Sequence, residues 1–254
     1  MASYLISGAS RGLGLALAAS LSSRPASEVS KVFAAARKQS DDLKKLVDGS
    51  NGRVQFVPLE VTSQKSAEEA AQTVEKSLNG EGLDYLINNA GIMNRIPNGI
   101  VDMKDLGETL NTNVIGVNNV IAAFLPLVRK SHLKKVINMS SGLGSLTLAS
   151  GFEDAPVPAY KVSKTALNML TVQYAQAFRD EGVTFVAVCP GWVKTDMGGQ
   201  DYAHLTIEES ITSLVEIFDR VGPKETGRYL TVKVPGWENN EPPQRRYDGF
   251  DRPW

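Results

Sequence analysis

The sequence predicts a doubly wound α/β fold, one parallel sheet of seven strands with helices on both faces, and three observations lead there. Short apolar runs alternate along the chain with longer amphipathic ones. Most of the short runs lack a clean polar alternation, as expected of parallel strands covered on both sides. The first run is followed at once by a glycine-rich turn that opens onto an apolar helical stretch, the pattern of a strand-to-helix crossover.

Taken in order, the first strand is "SYLIS" (Ser3–Ser7), its turn holds Gly8, Gly12 and Gly14, and "LGLALAASL" begins the first helix. Strands two and three are "KVFAAA" (Lys31–Ala36) and "VQFVP" (Val54–Pro58). Ala67, Ala70, Ala71, Val74 and Leu78 then recur at helical spacing and lead to strand four, "YLIN" (Tyr85–Asn88). The segment Val114–Arg129 is apolar on most sides, more than a helix with one wet face needs. Strand five is "KVINM" (Lys135–Met139), followed by a second stripe of Leu167, Leu170, Tyr174 and Phe178. Strands six and seven are "TFVAVC" (Thr184–Cys189) and "YLTVKV" (Tyr229–Val234), with a helix between them starting near Thr206. No linker or repeat divides the chain, so residues 1–234 form one domain carrying the site. Residues 235–254, rich in Pro, Asn and charge, form an irregular tail that Trp237, Tyr247, Phe250 and Trp254 should pack onto the same domain.

Composition narrows the function. A formal net charge of −1 over 254 residues implies neither a nucleic-acid nor a membrane-surface partner. The single cysteine, Cys189, forms no intrachain disulfide and favours a reducing, cytoplasmic setting. His132 and His204 lie far apart, so no metal cluster is expected. "LGLALAASL" lacks the basic start of a signal peptide, and no segment approaches the ~20 apolar residues of a membrane span.

The motifs fall at the C-terminal ends of successive strands or in the helix beside them: the GxxxGxG turn, "NNAG" (Asn88–Gly91), "NTNVIG" (Asn111–Gly116), "INMSSGLGS" (Ile137–Ser145), "YKVSK" (Tyr160–Lys164) and "PGWVKT" (Pro190–Thr195). Singly each has a bland explanation in turns and caps. Together, from about Ser3 to Tyr229, they resemble the short-chain dehydrogenase/reductase family with its Rossmann fold. Within it, "NMSSGLGS", "AYKVSK", "PGWVKTDMGG" and the ending "DGFDRPW" are most similar to carbonyl reductases of the C-factor and sniffer type and to fungal norsolorinic-acid-type ketoreductases of secondary metabolism.

The resemblance implies an NADPH-dependent reduction of a small-molecule ketone or aldehyde. Tyr160 is similar to the family's acid/base, Lys164 to its partner, Ser141 to the hydroxyl that polarises the carbonyl, and Asn113 to the residue that holds a relay water. Ser140 stands beside Ser141 as the alternative serine. Independently of the name, an ammonium one helical turn from a phenol favours the phenolate and should lower the Tyr160 pKa. The resemblance also implies cofactor contacts from Gly8, Ser10, Arg11, Gly12, Leu13 and Gly14, and at the three glycines a Cβ would block the close approach of phosphate. Further contacts are implied from Glu60 and Val61 at the adenine, Asn89, Ala90 and Gly91 behind its ribose, Tyr160 and Lys164, and Pro190, Gly191, Val193 and Thr195 at the nicotinamide half. Arg37 ends strand two where an NAD enzyme places an acid, and with Arg11 it points to NADPH.

The interval from Ser141 to Tyr160 is 19 residues, longer than usual in the family, so "LTLASGFEDAPVP" forms an extra loop beside the site. Leu143, Phe152, Trp192, Met197 and Tyr202 are the lining candidates. None is basic, which predicts bulky, neutral, hydrophobic carbonyl substrates. Gly198 and Gly199 should free the segment after "PGWVKT" to act as a lid. A homodimer is expected through the helices carrying Tyr160 and Asn113. Two readings stand beside the reductase: an enzyme using this fold for a non-redox step, and an NADPH-binding regulatory protein.

Overall fold

In the computed structural model, which describes all residues from Met1 to Trp254, the strands hydrogen-bond into one sheet in the order β3-β2-β1-β4-β5-β6-β7. They are β1 (Ala2–Ser7), β2 (Val29–Ala36), β3 (Val54–Pro58), β4 (Tyr85–Asn88), β5 (Lys135–Met139), β6 (Thr184–Cys189) and β7 (Tyr229–Thr231). Every pairing is parallel, with Leu5 of β1 opposite Phe33 of β2 and Leu86 of β4. This is the doubly wound Rossmann sheet that the alternation of runs predicts.

The absence of polar alternation has its cause in two separate cores. Ile6, Ile87, Ile137 and Val186 point to one face, under α1 (Gly12–Ser23) and α7 (Ile207–Arg220). Leu5, Leu86, Val136 and Phe185 point to the other, under α3 (Gln64–Leu78), α5 (Gly116–Lys130) and α6 (Pro158–Ala177). Phe124 and Phe185 are fully buried there, each contributing roughly 2–3 kcal/mol by apolar burial. A further helix, α2 (Asp41–Gly49), is short and lays Leu43, Leu46 and Val47 on the first core, with Leu43 fully buried.

Three details differ from the sequence reading. The strand predicted through Val234 stops at Thr231, the last residue paired with β6, and the tail pairs antiparallel along its outer side, Leu230 with Asp251 and Lys233 with Asp248. That pairing covers an otherwise open sheet edge. The helix predicted over Val114–Arg129 belongs to a continuous helical run Leu106–Lys130, long and apolar enough by composition alone to cross a membrane. Its apolar side is committed to the core through Val117, Val120, Ile121, Phe124 and Leu127. The run comprises α4 (Leu106–Leu110), a π-helical turn Asn111–Ile115, and α5. The π turn rotates Asn113 into the interior, the kind of local irregularity that marks functional sites.

The tail lies against the domain. Trp237 stacks on His204 at 4.8 Å, Trp254 stacks on Tyr229 at 5.2 Å, and Arg252 is buried. It also holds the extra loop: the Thr147 amide donates to the Trp254 carbonyl at 2.9 Å and the Ser145 hydroxyl to the Pro253 carbonyl at 2.7 Å.

Candidate active site

Chain order reverses between β1 and β4, and the loops leaving β1, β4, β5 and β6 converge there. Their assembly begins with the glycine turn. Gly8 has φ +71° and a Cβ on it would strike the Ala90 backbone at 2.8 Å, while a Cβ on Gly14 would meet the Gly8 carbonyl at 2.3 Å. The chain's own packing therefore demands these two glycines, rather than the approach of a phosphate. Asn89 locks the turn by donating to the Ser7 and Gly8 carbonyls at 3.0 and 3.3 Å, and Ser7 accepts from the Asn89 and Ala90 amides. Gly12 is different: φ is +55° and nothing lies closer to its Cβ position than Thr195, at 3.9 Å.

This edge fits a dinucleotide. Ser40, Ser63 and Thr206 cap α2, α3 and α7 with side-chain oxygens, whereas α1 begins at Arg11 with no capping side chain and no acid in its first turn. Its first amides are left to an anion. Ser10 and Leu13 flank the open glycine, and Ser10 is tied to α2 by the Ser40 hydroxyl at 2.6 Å. Arg37 lies 3.8 Å from Glu60, and Arg11 lies 3.5 Å from Asp196, both arginines mostly in solvent. Glu60 also accepts from the Thr62 amide and hydroxyl. Val61 packs under Gly116 and accepts from Asn119 through its carbonyl at 3.1 Å. Pro190, Gly191, Val193 and Thr195 follow β6 across from this edge.

The four side chains expected to do chemistry come together. Asn113 is fully buried: its Oδ1 accepts from the Ile92 amide at 2.8 Å, and its Nδ2 donates to the Ile92 carbonyl at 2.9 Å and to Ser163 at 3.0 Å. Gly91 lies between Asn113 and Lys164, and its Cβ position is 3.2 Å from the one and 3.8 Å from the other. Tyr160 and Lys164 lie one turn apart on α6, with the Lys164 Nζ 5.4 Å from the centre of the Tyr160 ring and donating to the Met139 carbonyl at 2.8 Å. Both serines line the cavity and their partners tell them apart. The buried Ser140 hydroxyl is committed to Asn168 at 2.5 Å, whereas the Ser141 hydroxyl accepts from the Leu143 amide at 3.3 Å and partly offsets the effect of burial on Tyr160.

Electrostatics reverse one expectation. Burial pushes the Tyr160 phenol well above its ordinary value, and the Ser141 hydroxyl offsets only part of this. Burial also pulls Lys164 from 10.5 down to about 8. Desolvating the phenolate outweighs the neighbouring ammonium, which is itself weakened and bonded elsewhere. Tyr160 is thus a protonated donor at neutral pH.

A cavity of about 370 Å³ opens beside these groups. Leu143, Phe152, Trp192 and Met197 line it, but Tyr202 does not: 82% exposed, it stands on the outer surface. Sequence reasoning missed the polar wall, which comprises Arg95, Asp154, His204, Gln244, Arg245, Tyr247 and Arg252. Four of these come from the tail, where the only signal was its aromatic content. The absence of basic residues that the sequence suggested does not hold. Nor does the loose lid: Gly198 is wedged against the Val193 carbonyl, and its own carbonyl accepts from the Trp192 indole at 2.6 Å.

The family model for short chain dehydrogenase matches residues 3–205. An uncharacterized oxidoreductase of Schizosaccharomyces pombe, C663.09c, is 34% identical, over 89% of this chain and 93% of its own. The NADPH-bound carbonyl reductase from chicken fatty liver is 34% identical with a TM-score of 0.83, over 92% of this chain and 98% of its own. The carbonyl reductase Sniffer of D. melanogaster is 28% identical with a TM-score of 0.85, over the full length of both chains.

Proposed function

This chain belongs to the short-chain dehydrogenase/reductase family, and on that premise we propose that it is an NADPH-dependent carbonyl reductase acting on a ketone or aldehyde with a hydrophobic body. The observation that carries the reading is the convergence of Asn113, Ser141, Tyr160 and Lys164 beside an uncapped glycine turn and a cavity with one apolar and one polar wall.

Pro190, Gly191, Val193 and Thr195 would hold a nicotinamide beside the cavity, and when bound it would supply the hydride that reduces the carbonyl carbon. The Ser141 hydroxyl donates to the carbonyl oxygen and favours the alkoxide that develops there. Tyr160, kept protonated by burial, gives its Oη proton to that oxygen. Lys164 then faces a phenolate and stabilises it, and Asn113, fixed by Ile92 and Ser163, orients the path by which the proton returns. Arg11 and Arg37 support the choice of NADPH. Their ion pairs are loose and solvent-exposed, worth at most ~1 kcal/mol, so a phosphate dianion displaces the carboxylates. The NADPH-bound relative supports the same choice.

The test is NADPH consumption against a panel of aldehydes, ketones and quinones, with Tyr160→Phe as control. Turnover in the variant should fall by roughly 100-fold or more at nearly unchanged cofactor affinity. Near-wild-type turnover would refute the assignment. A homodimer through the outer face of α6, where Val162 and Met169 are exposed and Leu146 of the extra loop is exposed beside them, accompanies this proposal, as does a cytoplasmic setting for the unpaired Cys189.

A further inference from the structure

Beside Ser141 and Tyr160 the cavity presents three arginines, Arg95, Arg245 and Arg252, against one acid, Asp154. Elsewhere Arg11, Arg24, Arg37, Arg129, Arg228 and Arg246 each pair with a carboxylate, whereas Arg53 and Arg220 are held by backbone carbonyls. The three at the cavity also pair with no carboxylate, and they gather around one site. An excess of unpaired cations around one concave, partly apolar site calls for an anion.

Arg252 is the sharpest case. It is 5% exposed, and its partners are all neutral: the Gln244 carbonyl at 2.7 Å, the Arg246 carbonyl at 3.3 Å and the Thr231 hydroxyl at 3.4 Å. Its Nε has no partner. A guanidinium withdrawn from water without a counter-charge is unfavourable unless something else recovers the cost. The group lies flat on the backbone of Gly142, next to Ser141, where any Cβ would stand 2.7 Å from Nη2. Its charge, with that of Arg245, reaches the Tyr247 phenol on the same wall and partly opposes the effect of burial there. Arg95, Arg245 and Asp154 are all exposed at the mouth and screened alike, so Arg252 carries the one buried charge of this wall.

We propose that this cavity takes carbonyl compounds carrying a carboxylate, the anion seated by Arg245 and Arg252 of the tail while the carbonyl meets Ser141 and Tyr160. The apolar body then lies against Leu143, Phe152, Trp192 and Met197. The proposal rests on the carbonyl-reductase reading of the same site and refines it: the substrate is hydrophobic but acidic. Arg252 and Arg245 bind and position it, without touching the reacting atoms.

The test uses matched pairs, 3- and 4-acetylbenzoate against their methyl esters, read first as binding by calorimetry and then as kcat/KM with NADPH. The wild-type protein should bind the acids at least 10-fold more tightly than the esters. Arg245→Gln and Arg252→Gln should each bring that ratio below about 3-fold while ester binding moves less than 2-fold. If Arg252→Gln does not fold, Arg252→Lys, which keeps a charge but loses the planar fork, should retain part of the preference. Esters bound as well as acids, or no binding of either, would overturn the proposal. So would variants that weaken acid and ester alike, which would make Arg252 a staple of the tail and nothing more. Acids that bind selectively but are never reduced would leave the anion site standing and remove the reductase reading instead.

Discussion

Lys164→Met separates the chemical role of this residue from its structural cost. The Nζ is buried and has one hydrogen bond, to the Met139 carbonyl. Its pKa falls from 10.5 to about 8 on folding, so carrying the charge into the fold costs about 3 kcal/mol at neutral pH. Methionine keeps the apolar stem and removes the charge. It also leaves the Met139 carbonyl without its donor, a loss of about 1 kcal/mol. The net expectation is a stabilisation of about 2 kcal/mol, or roughly 4–8 °C in Tm for a chain of this size. The sign depends on pH. Below about 8 the folded and unfolded forms both carry the proton and the penalty is fully present; between 8 and 10.5 the unfolded state binds more, so wild-type stability rises with pH. Thermal melts of the cofactor-free protein at pH 7 and pH 10.5 should show the variant's advantage shrinking at the higher pH, while its reductase activity is lost at both. A variant less stable than wild type at pH 7, or an advantage unchanged between the two pH values, would refute the reasoning.

The serine assignment is checked by paired substitutions. Ser141→Ala should lower turnover by at least 10-fold with little change in Tm, whereas Ser140→Ala should destabilise by about 1–3 kcal/mol because Asn168 loses its buried donor; equal kinetic losses with no change in stability would contradict it. Arg37→Glu should reduce NADPH affinity relative to NADH by roughly 10- to 100-fold, the scale of one charge-assisted contact, and equal titration of both cofactors by the wild type would contradict that. Light scattering at micromolar concentration should give a dimer mass, and Met169→Asp on the outer face of α6 should lower it towards that of one chain.

The sheet was legible because its strands are buried on both faces and their apolar runs are continuous. Only the last misled, since a valine run at an edge does not reveal that the tail, and not another strand, will pair with it. Tyr160 and Lys164 were legible for a local reason: four residues is one helical turn, whatever surrounds it. The direction of the Tyr160 pKa was not, because the spacing gives the distance to the ammonium but not the loss of water. The choice between Ser140 and Ser141 likewise turned on Asn168, 28 residues away. Tyr202 was assigned to the pocket by its nearness in sequence to Met197, yet the 3₁₀ turn over Gln200–Tyr202 carries it outward.

The polar wall of the cavity shows why such misses concentrate on specificity. The hydride edge is built from short motifs at strand ends and on helices packed directly on the sheet, so the sheet and its helices fix their relative positions. The substrate wall is built from two segments that the sheet does not fix, the extra loop and the tail, and these hold each other: Gln244 donates to the Gly151 carbonyl at 3.1 Å, and Thr147 and Ser145 donate to the Trp254 and Pro253 carbonyls. Trp254 in turn stacks on Tyr229, whose hydroxyl donates to the Ser141 carbonyl at 2.5 Å. Substitutions in either segment can therefore remodel the binding wall while Tyr160, Lys164 and Asn113 keep their places. A change in the tail that displaces Trp254 is felt next at Ser141, so substrate recognition and carbonyl polarisation are coupled through Tyr229.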